Sequence, residues 1–134
     1  MSATTFTFAI HDERLAIARL DAGAEVPAWA RGRFVNVART PSELSIVCAQ
    51  LHVPPQVRHE RDKIAFGIVG TVPMTTIGIL AALCGALAAV RVPVFVLSTY
   101  DTDWLLVSAE KFADARGALE RAGHSIEGDA PRAD

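Results

Sequence analysis

The residues best suited to bind a ligand lie in the stretch Ser98–Asp103, which reads Ser-Thr-Tyr-Asp-Thr-Asp. The apolar run Val94–Leu97 leads into it and Trp104–Val107 leads out of it, which predicts two strands joined at one end of a sheet. An ordinary tight hairpin turn uses Gly or Asn for its backbone, and the stretch contains neither. Its carboxylates, hydroxyls and phenol therefore predict a ligand-facing edge. The alternative is a solvated connection whose aspartates face water.

A second candidate feature is the segment Gly70–Thr76, which leads into a predicted helix. The unpaired N–H groups and the dipole of a helix N-terminus favour a carboxylate, and Gly70 allows close approach of the backbone. Asp101 and Asp103, at the end of the following strand, supply acceptors for a cationic group. Donors and acceptors are therefore both present at the same end of the predicted sheet, which favours a ligand-binding site. A capped helix beside a solvated loop is the alternative.

Composition limits the classes of function. The chain has 134 residues, 51% of them hydrophobic, and a formal net charge of −2. That length suits one domain or two very small ones, and the charge gives no basic surface for nucleic acid. Cys48 and Cys84 lie far apart in apolar runs, as reduced buried thiols do, and Met1–Thr5 has no signal-peptide pattern. We therefore expect a cytoplasmic protein that does not bind nucleic acid.

The segment Ile64–Val90 has no charged residue, which raises the question of a transmembrane helix. Pro73 divides it, and only its Thr75–Val90 part has a helical pattern. A helix of that length spans about 24 Å, which is shorter than the hydrocarbon core of a bilayer. The sequence therefore predicts a strand followed by a buried helix and no membrane span.

From residue 63 onward, short β-branched runs alternate with apolar residues at helical spacing. The predicted elements are the strand Ile64–Val69, the helix Thr75–Val90, the strands Val94–Thr99 and Trp104–Val107, a helix capped by Ser108, and the edge strand His124–Glu127. This order predicts the α+β class, with a ferredoxin-like βαββαβ module over residues 63–128.

The first 60 residues have more strand signals than helix signals. The predicted strands are Leu15–Leu20, Arg33–Arg39 and Leu44–Ala49. Val26–Ala30 is expected to form a helical turn with Trp29 pointing inward, and Arg58–Lys63 to be a charged connection. We therefore predict two modules, residues 1–60 and 61–134.

Several of these segments resemble one known family. Leu44–Cys48 after a Thr-Pro turn, a strand ending at Gly70, and Val92–Phe95 followed by Ser98–Asp103 are similar to the small bacterial ACT-domain proteins. That group is related to the regulatory part of aspartate kinases and to the CASTOR-type arginine sensors. The resemblance covers about residues 14–128 and implies two tandem ACT modules, the first degenerate.

The resemblance also implies an amino-acid-binding regulatory or sensor function, with the ligand held at the interface of the two modules, between a strand of one and the helix start of the other. The residues implied to bind it are Ser45, Ile46, Val47, Gly70, Thr71, Thr76, Gly78, Thr99, Tyr100, Asp101 and Asp103. ACT modules commonly associate side by side, and the predicted helix Thr75–Val90 is apolar on its second face. A homodimer is therefore expected.

Catalytic patterns are incomplete in this chain. Asp101 and Asp103 after an apolar strand resemble the magnesium-dependent phosphatase motif, but Leu105 stands where Thr or Val is expected. Asp101-Thr102 resembles the aspartic-protease motif, but Asp103 replaces its Gly. The four histidines are scattered, and no glycine-rich phosphate loop occurs. We expect no catalysis, metal or cofactor. Two functions remain open, an amino-acid sensor and an ACT-fold interaction module with a vestigial pocket.

Overall fold

The computed structural model describes residues 4–134, so the first three residues of the N-terminal segment Met1–Thr5 lie outside it. The elements are β1 (Thr7–Ile10), β2 (Leu15–Leu20), β3 (Asn36–Arg39), β4 (Leu44–Ala49), β5 (His59–Ile68), α1 (Ile79–Ala89), β6 (Phe95–Ser98), β7 (Asp103–Ser108), α2 (Phe112–Arg121) and β8 (Ser125–Glu127). Among the described residues, neither helix has the length and apolar character needed to cross a membrane.

The chain divides into two compact units. Unit 1 contains the residues up to Asp12 and Ile64–Ala130, and unit 2 contains Glu13–Lys63 and Pro131–Asp134. The predicted module boundary between residues 60 and 61 stays a prediction. The compact units differ from it in that β1 belongs with the C-terminal elements and the last four residues with unit 2.

Unit 1 has the predicted order of strand, helix, two strands, helix and strand, which confirms the α+β ferredoxin-like class. Its strands are arranged in the order β6-β7-β5-β1-β8. β1 runs antiparallel to β5, pairing Phe8 with Ile68, and parallel to β8, pairing Phe8 with Ile126. The sequence analysis did not predict β1, which separates two strands that the βαββαβ pattern alone would place side by side.

Both helices of unit 1 bury one face in a single apolar core. α1 contributes Leu83 and Leu87, and α2 contributes Ala115 and Leu119, in each case four residues apart on one helical face. Phe66 of β5 is fully buried and stacks on Phe112 at a centroid distance of 5.3 Å. This core fixes the positions of α1 and of the strands from which the candidate site is built.

His124 connects β1 to the start of β8 inside unit 1. Its Nδ1 accepts a hydrogen bond of 3.0 Å from the Phe6 backbone N–H, and its ring stacks on Phe6 at 5.9 Å. The imidazole must be unprotonated at Nδ1 to accept this bond. Burial lowers the pKa of His124, which favours the same neutral form.

Two predicted element starts are wrong. α1 begins at Ile79 rather than Thr75, because Gly78 has a left-handed backbone with φ 83° and Thr76 N–H closes a turn on Pro73 O at 3.0 Å. β5 begins at His59 rather than Ile64, so most of the predicted connection Arg58–Lys63 is strand. That part of β5 is held by backbone pairing with β2, which does not require apolar side chains.

Two further boundaries differ from the prediction. β3 covers Asn36–Arg39 only, because the residues before it do not join the ladder with β4. Ser108 precedes a 3-10 turn and its side chain makes no capping hydrogen bond, so α2 starts at Phe112.

Unit 2 is built from antiparallel strands. β4 pairs with both β2 and β3, and β2 also pairs with the first part of β5. The described residues of this unit contain no α-helix. The predicted turn at Val26–Ala30 is present, with Ala30 N–H donating to Pro27 O at 3.1 Å and Trp29 packed against the unit's core.

A polar network supports an irregularity in β5. Asp62 has φ 59°, a left-handed conformation, at the point where the pairing of β2 with β5 shifts register. Its backbone N–H donates to Gln50 Oε1 at 2.6 Å, and its Oδ1 accepts from Gln50 Nε2 at 3.0 Å and from Arg14 Nη1 at 3.1 Å. These hydrogen bonds, that from Gln50 most strongly, lower the pKa of Asp62.

Candidate ligand-binding groove

The β6–β7 hairpin supplies one wall of the candidate site. Ser98 pairs with Asp103, and Thr99 N–H donates to Thr102 O at 2.8 Å. Thr99 Oγ1 accepts a hydrogen bond of 3.3 Å from Thr102 N–H, so a hydroxyl completes the turn that the sequence analysis could not explain without Gly or Asn. The absence of glycine here therefore has a structural reason and is not itself evidence for a ligand.

Trp104 fixes the hairpin against β5. A Cβ atom added to Gly67 would lie 2.5 Å from a ring carbon of Trp104. The ring therefore occupies the space that the side chain of any residue other than glycine would need at position 67. A glycine within a strand commonly marks such a close approach. Thr102 adds a second attachment, with its Oγ1 donating to Ile68 O at 3.0 Å.

The loop before α1 supplies the opposite wall. Gly70 and Gly78, with φ of 89° and 83°, adopt backbone conformations that favour glycine and mark its two ends. Val72 N–H donates to Asp101 O at 2.7 Å, which attaches the loop to the tip of the hairpin. The loop and the hairpin tip are thereby held as two sides of one groove.

The groove between these walls has a volume of about 430 Å³. Its lining combines loop, helix-start and hairpin residues, namely Val72, Pro73, Met74, Thr76, Gly78, Ile79, Leu80, Ala81, Ser98, Thr99, Tyr100, Thr102 and Asp103. A volume of this size falls within the range of small-molecule sites.

Backbone hydrogen-bond donors are available at the start of α1, whose first three residues line the groove. The helix follows Gly78, has no side-chain cap and has no acidic residue in its first turn. The backbone N–H groups of Ile79, Leu80 and Ala81 precede the first internal helical bond, which Ala82 N–H donates to Gly78 O at 3.1 Å. This helix end is suited to an anionic group such as a carboxylate.

The acceptor in the groove is the Asp103 carboxylate. Ser98 Oγ donates to Asp103 Oδ1 at 2.5 Å, which orients the carboxylate on the hairpin. The groove therefore combines a helix end that favours an anion with a carboxylate that favours a cation. These are the two requirements of a zwitterion.

Apolar side chains form much of the remaining lining, beside the hydroxyl-bearing residues Thr76, Ser98, Thr99 and Thr102. Val72, Ile79 and Leu80 are partly buried against the core of unit 1. Met74 and Tyr100 are 74% and 82% exposed, so large apolar surfaces stand open at the rim. Exposed side chains of this kind often cover a bound ligand or a partner.

Five of the predicted ligand-binding residues line this groove, namely Thr76, Gly78, Thr99, Tyr100 and Asp103. Gly70, Thr71 and Asp101 lie in the same two loops but are not among the lining residues, and Asp101 takes part through its backbone carbonyl. Ser45, Ile46 and Val47 belong to β4 of unit 2 and also do not line the groove. Their role in binding stays a prediction.

The sequence-based site omitted several lining residues, chiefly the apolar ones Val72, Pro73 and Met74. Their position between the two predicted site glycines was a usable signal. Ser98 and Thr102 were singled out for their chemistry but not assigned to the site. Ile79, Leu80 and Ala81 lie in the first turn of α1, where the available hydrogen-bond donors are backbone N–H groups that residue types do not reveal.

Comparisons with known proteins agree with this fold. Residues 58–121 match the model of the ACT domain, and residues 13–56 match a second model, which describes an N-terminal domain. No curated protein matches the chain. The sequence prediction of an ACT domain related in structure to aspartate kinase regulatory domains is thus confirmed for the C-terminal part, whereas a degenerate ACT module in the first part stays a prediction.

One solved structure is similar over nearly the whole chain. Protein Atu0741 from Agrobacterium tumefaciens is 33% identical, with a TM-score of 0.89, over 98% of this chain and 100% of its own. The chain therefore belongs to the same family as the Agrobacterium protein, and it carries an ACT domain at residues 58–121.

More distant structures share the fold alone. The regulatory subunit of aspartate kinase from Thermus thermophilus is 16% identical, with a TM-score of 0.57, over 90% of this chain and 99% of its own. A Vibrio cholerae protein described as a possible transport protein is also 16% identical, with a TM-score of 0.69, over 88% of this chain and 90% of its own.

Proposed function

We propose that the protein is a non-catalytic regulatory protein of the cytoplasm that binds a free amino acid in the groove of unit 1. The observation that carries this proposal is the presence of the uncapped start of α1 and the Asp103 carboxylate in the lining of one groove. The ACT-domain match and the shared fold with an aspartate kinase regulatory subunit support the regulatory role.

In the proposed complex the ligand carboxylate accepts hydrogen bonds from the backbone N–H groups of Ile79, Leu80 and Ala81. The ligand ammonium forms an ion pair with Asp103, which Ser98 keeps oriented. The ligand side chain extends along the apolar lining. No step of bond making or breaking is part of this function.

The first experiment is a thermal-shift screen of the twenty amino acids. A ligand at 100 times its dissociation constant adds about 2.7 kcal/mol to the free energy of unfolding, which is readily measured. We expect at least one L-amino acid to raise the melting temperature. If none does, the groove does not bind free amino acids under these conditions and the proposal is wrong.

The second experiment places the ligand in the groove. A hydrogen bond to a charged group contributes about 1.5–3 kcal/mol, so Asp103→Asn should weaken binding by roughly tenfold to a hundredfold in titration calorimetry. Asp101→Asn is the matched control, because Asp101 is two residues away and its side chain is not part of the lining. Equal affinities for wild type and Asp103→Asn would mean that Asp103 does not hold the ligand.

We also propose that the protein forms a homodimer through the outer face of α1. Ala81, Ala82, Gly85, Ala88 and Ala89 of that helix are exposed, and none is charged. A Cβ on Gly85 meets nothing within 4 Å, so Gly85→Lys fits the monomer and should separate a dimer, whereas Gly85→Ala should not. Light scattering that shows a monomeric wild type at tens of micromolar protein would contradict the dimer.

A further inference from the structure

The charges in the groove limit the kind of ligand it can hold. Among the residues that line it, Asp103 is the one charged side chain. The chain from Ile64 to Val90, which supplies the loop and the whole of α1, contains no charged residue at all. The electrostatic partners available to a ligand are therefore one carboxylate and one helix end.

A zwitterionic amino acid uses both partners with its own backbone groups. A third charge, on the ligand side chain, would lie against groove walls that offer it no opposite charge, which is unfavourable. A cationic side chain would compete with the α-ammonium for Asp103. An anionic side chain would place a second carboxylate in the groove with Asp103, and like charges repel.

The remaining lining favours an apolar ligand side chain, because the hydroxyls of Ser98, Thr99 and Thr102 already donate hydrogen bonds within unit 1. Val72, Pro73 and Leu80 present aliphatic surface, and Met74 and Tyr100 stand exposed at the rim. An apolar ligand side chain that binds here would remove both its own apolar surface and that of the lining from water, which is favourable. The thioether of Met74 adapts its shape to varied apolar partners.

We infer that the ligand is an amino acid with an uncharged, apolar side chain. This inference rests on the proposed function and narrows it to a ligand class. The charge content of the groove disfavours lysine, arginine, aspartate and glutamate.

The test uses pairs of amino acids that match in shape and differ in charge. Titration calorimetry compares L-norleucine with L-lysine, L-methionine with L-glutamate, and L-leucine with L-aspartate. We expect the uncharged member of each pair to bind at least about tenfold more tightly. A charged member that binds as tightly as its partner would overturn the inference and leave the proposed function intact. Absence of binding by all six would also overturn the inference, whereas the proposed function fails only if none of the twenty amino acids binds in the thermal-shift screen.

A substitution in the groove wall provides an independent measurement. Met74 is 74% exposed, so Met74→Glu should fold normally while adding a second carboxylate to the lining. An exposed ion pair changes affinity by up to about fivefold, so the ratio of lysine to norleucine affinity should rise by up to that factor in Met74→Glu. It should not rise in the uncharged control Met74→Gln. An unchanged ratio in Met74→Glu, or an equal rise in Met74→Gln, would contradict the assignment of this wall to the ligand side chain.

Discussion

The start of α1 in unit 1 and the irregular part of β5 in unit 2 both contain a residue in the left-handed backbone conformation, but they treat the neighbouring polar groups differently. In unit 2 the residue is Asp62, whose N–H and carboxylate are bonded to Gln50 and Arg14. In unit 1 the residue is Gly78, which has no side chain, and the helix after it has no side-chain cap.

The same contrast extends to nearby loops. In unit 2 the side chain of Arg39 donates to the backbone carbonyls of Ala22 and Ala24, and Thr40 accepts from the N–H groups of Ser42 and Glu43. The polar groups of the irregular backbone in unit 2 are thus hydrogen-bonded by side chains of the same chain. A helix end without such partners, set in an open groove, is therefore the better place to look for a ligand.

The largest expected effect concerns β4, which the family resemblance assigned to the site. Ile46 is fully buried in the core of unit 2, so Ile46→Ala should lower the free energy of unfolding by about 2–5 kcal/mol. Amino-acid affinity measured well below the melting temperature should not change. Chemical denaturation and titration calorimetry give the two values.

Met74→Ala is the matched comparison in unit 1. Its exposed side chain should contribute less than about 0.5 kcal/mol to stability, while its removal weakens ligand binding. A folded Ile46→Ala protein with reduced amino-acid affinity would contradict this expectation and would mean that β4 contributes to binding.

An intermediate effect is expected at the partnered left-handed residue. Asp62→Ala removes the acceptor of Gln50, which is 3% exposed, and should cost about 1–3 kcal/mol of stability. Asp62→Asn should cost less, because Asn tolerates the left-handed conformation. Asp21→Ala is the control, since the Asp21 side chain is 99% exposed.

The sign of the pH dependence follows from the lowered pKa of Asp62, whose first cause is the hydrogen bond from Gln50. The contribution of this residue is fully present above the ordinary carboxyl pKa of about 3.9 and is lost as the pH falls through the lowered folded value. Denaturation curves of wild type should therefore converge toward those of Asp62→Ala in acid. A difference in the free energy of unfolding between wild type and Asp62→Ala that stays the same at all pH values would contradict this account.

The smallest effect concerns His124, which completes the backbone of unit 1 as Gln50 does in unit 2. Burial lowers its pKa, so its contribution is fully present above the ordinary histidine value of about 6.5 and decreases as the pH falls through the folded value. Protonation of His124 would break its hydrogen bond with the Phe6 N–H, and one neutral hydrogen bond contributes about 1 kcal/mol to stability.

His124→Gln keeps an acceptor but does not titrate. The variant should therefore lose the decline in stability that wild type shows below about pH 6.5. Guanidinium titrations at a series of pH values measure this difference. The same decline in both proteins would assign the pH dependence to another group.

The sequence predicted the strands β2 and β4 to the residue, because their apolar residues lie in short runs bounded by turn signals. It missed β1, a four-residue strand whose pairing partners lie far away in sequence. It misjudged the start of β5, where the exposed charged residues Glu60 and Arg61 obscure a backbone that pairs with β2. Pairing between distant segments leaves little trace in local pattern.

For the candidate site, residue chemistry indicated both the hairpin and the loop. Asp103 and Thr99 were recognisable by type, whereas Ile79 and Ala81 line the groove at the start of α1, where the available donors are backbone N–H groups that any residue would provide. The sequence analysis did not foresee how the glycine-free turn closes, because the Thr99 hydroxyl accepts the Thr102 N–H within it. Whether β4 takes part in binding cannot be read from the residue types of Ser45, Ile46 and Val47.

The uncapped start of α1 has a consequence for local fluctuation. Helix ends without a cap fray, so the amide protons of the first turn, at Ile79, Leu80 and Ala81, should exchange rapidly with solvent. A carboxylate bound there would act as an N-cap, which contributes about 1 kcal/mol to a helix end. Amide exchange at that turn would then slow when ligand is present, so the first turn of α1 would report occupancy as local order.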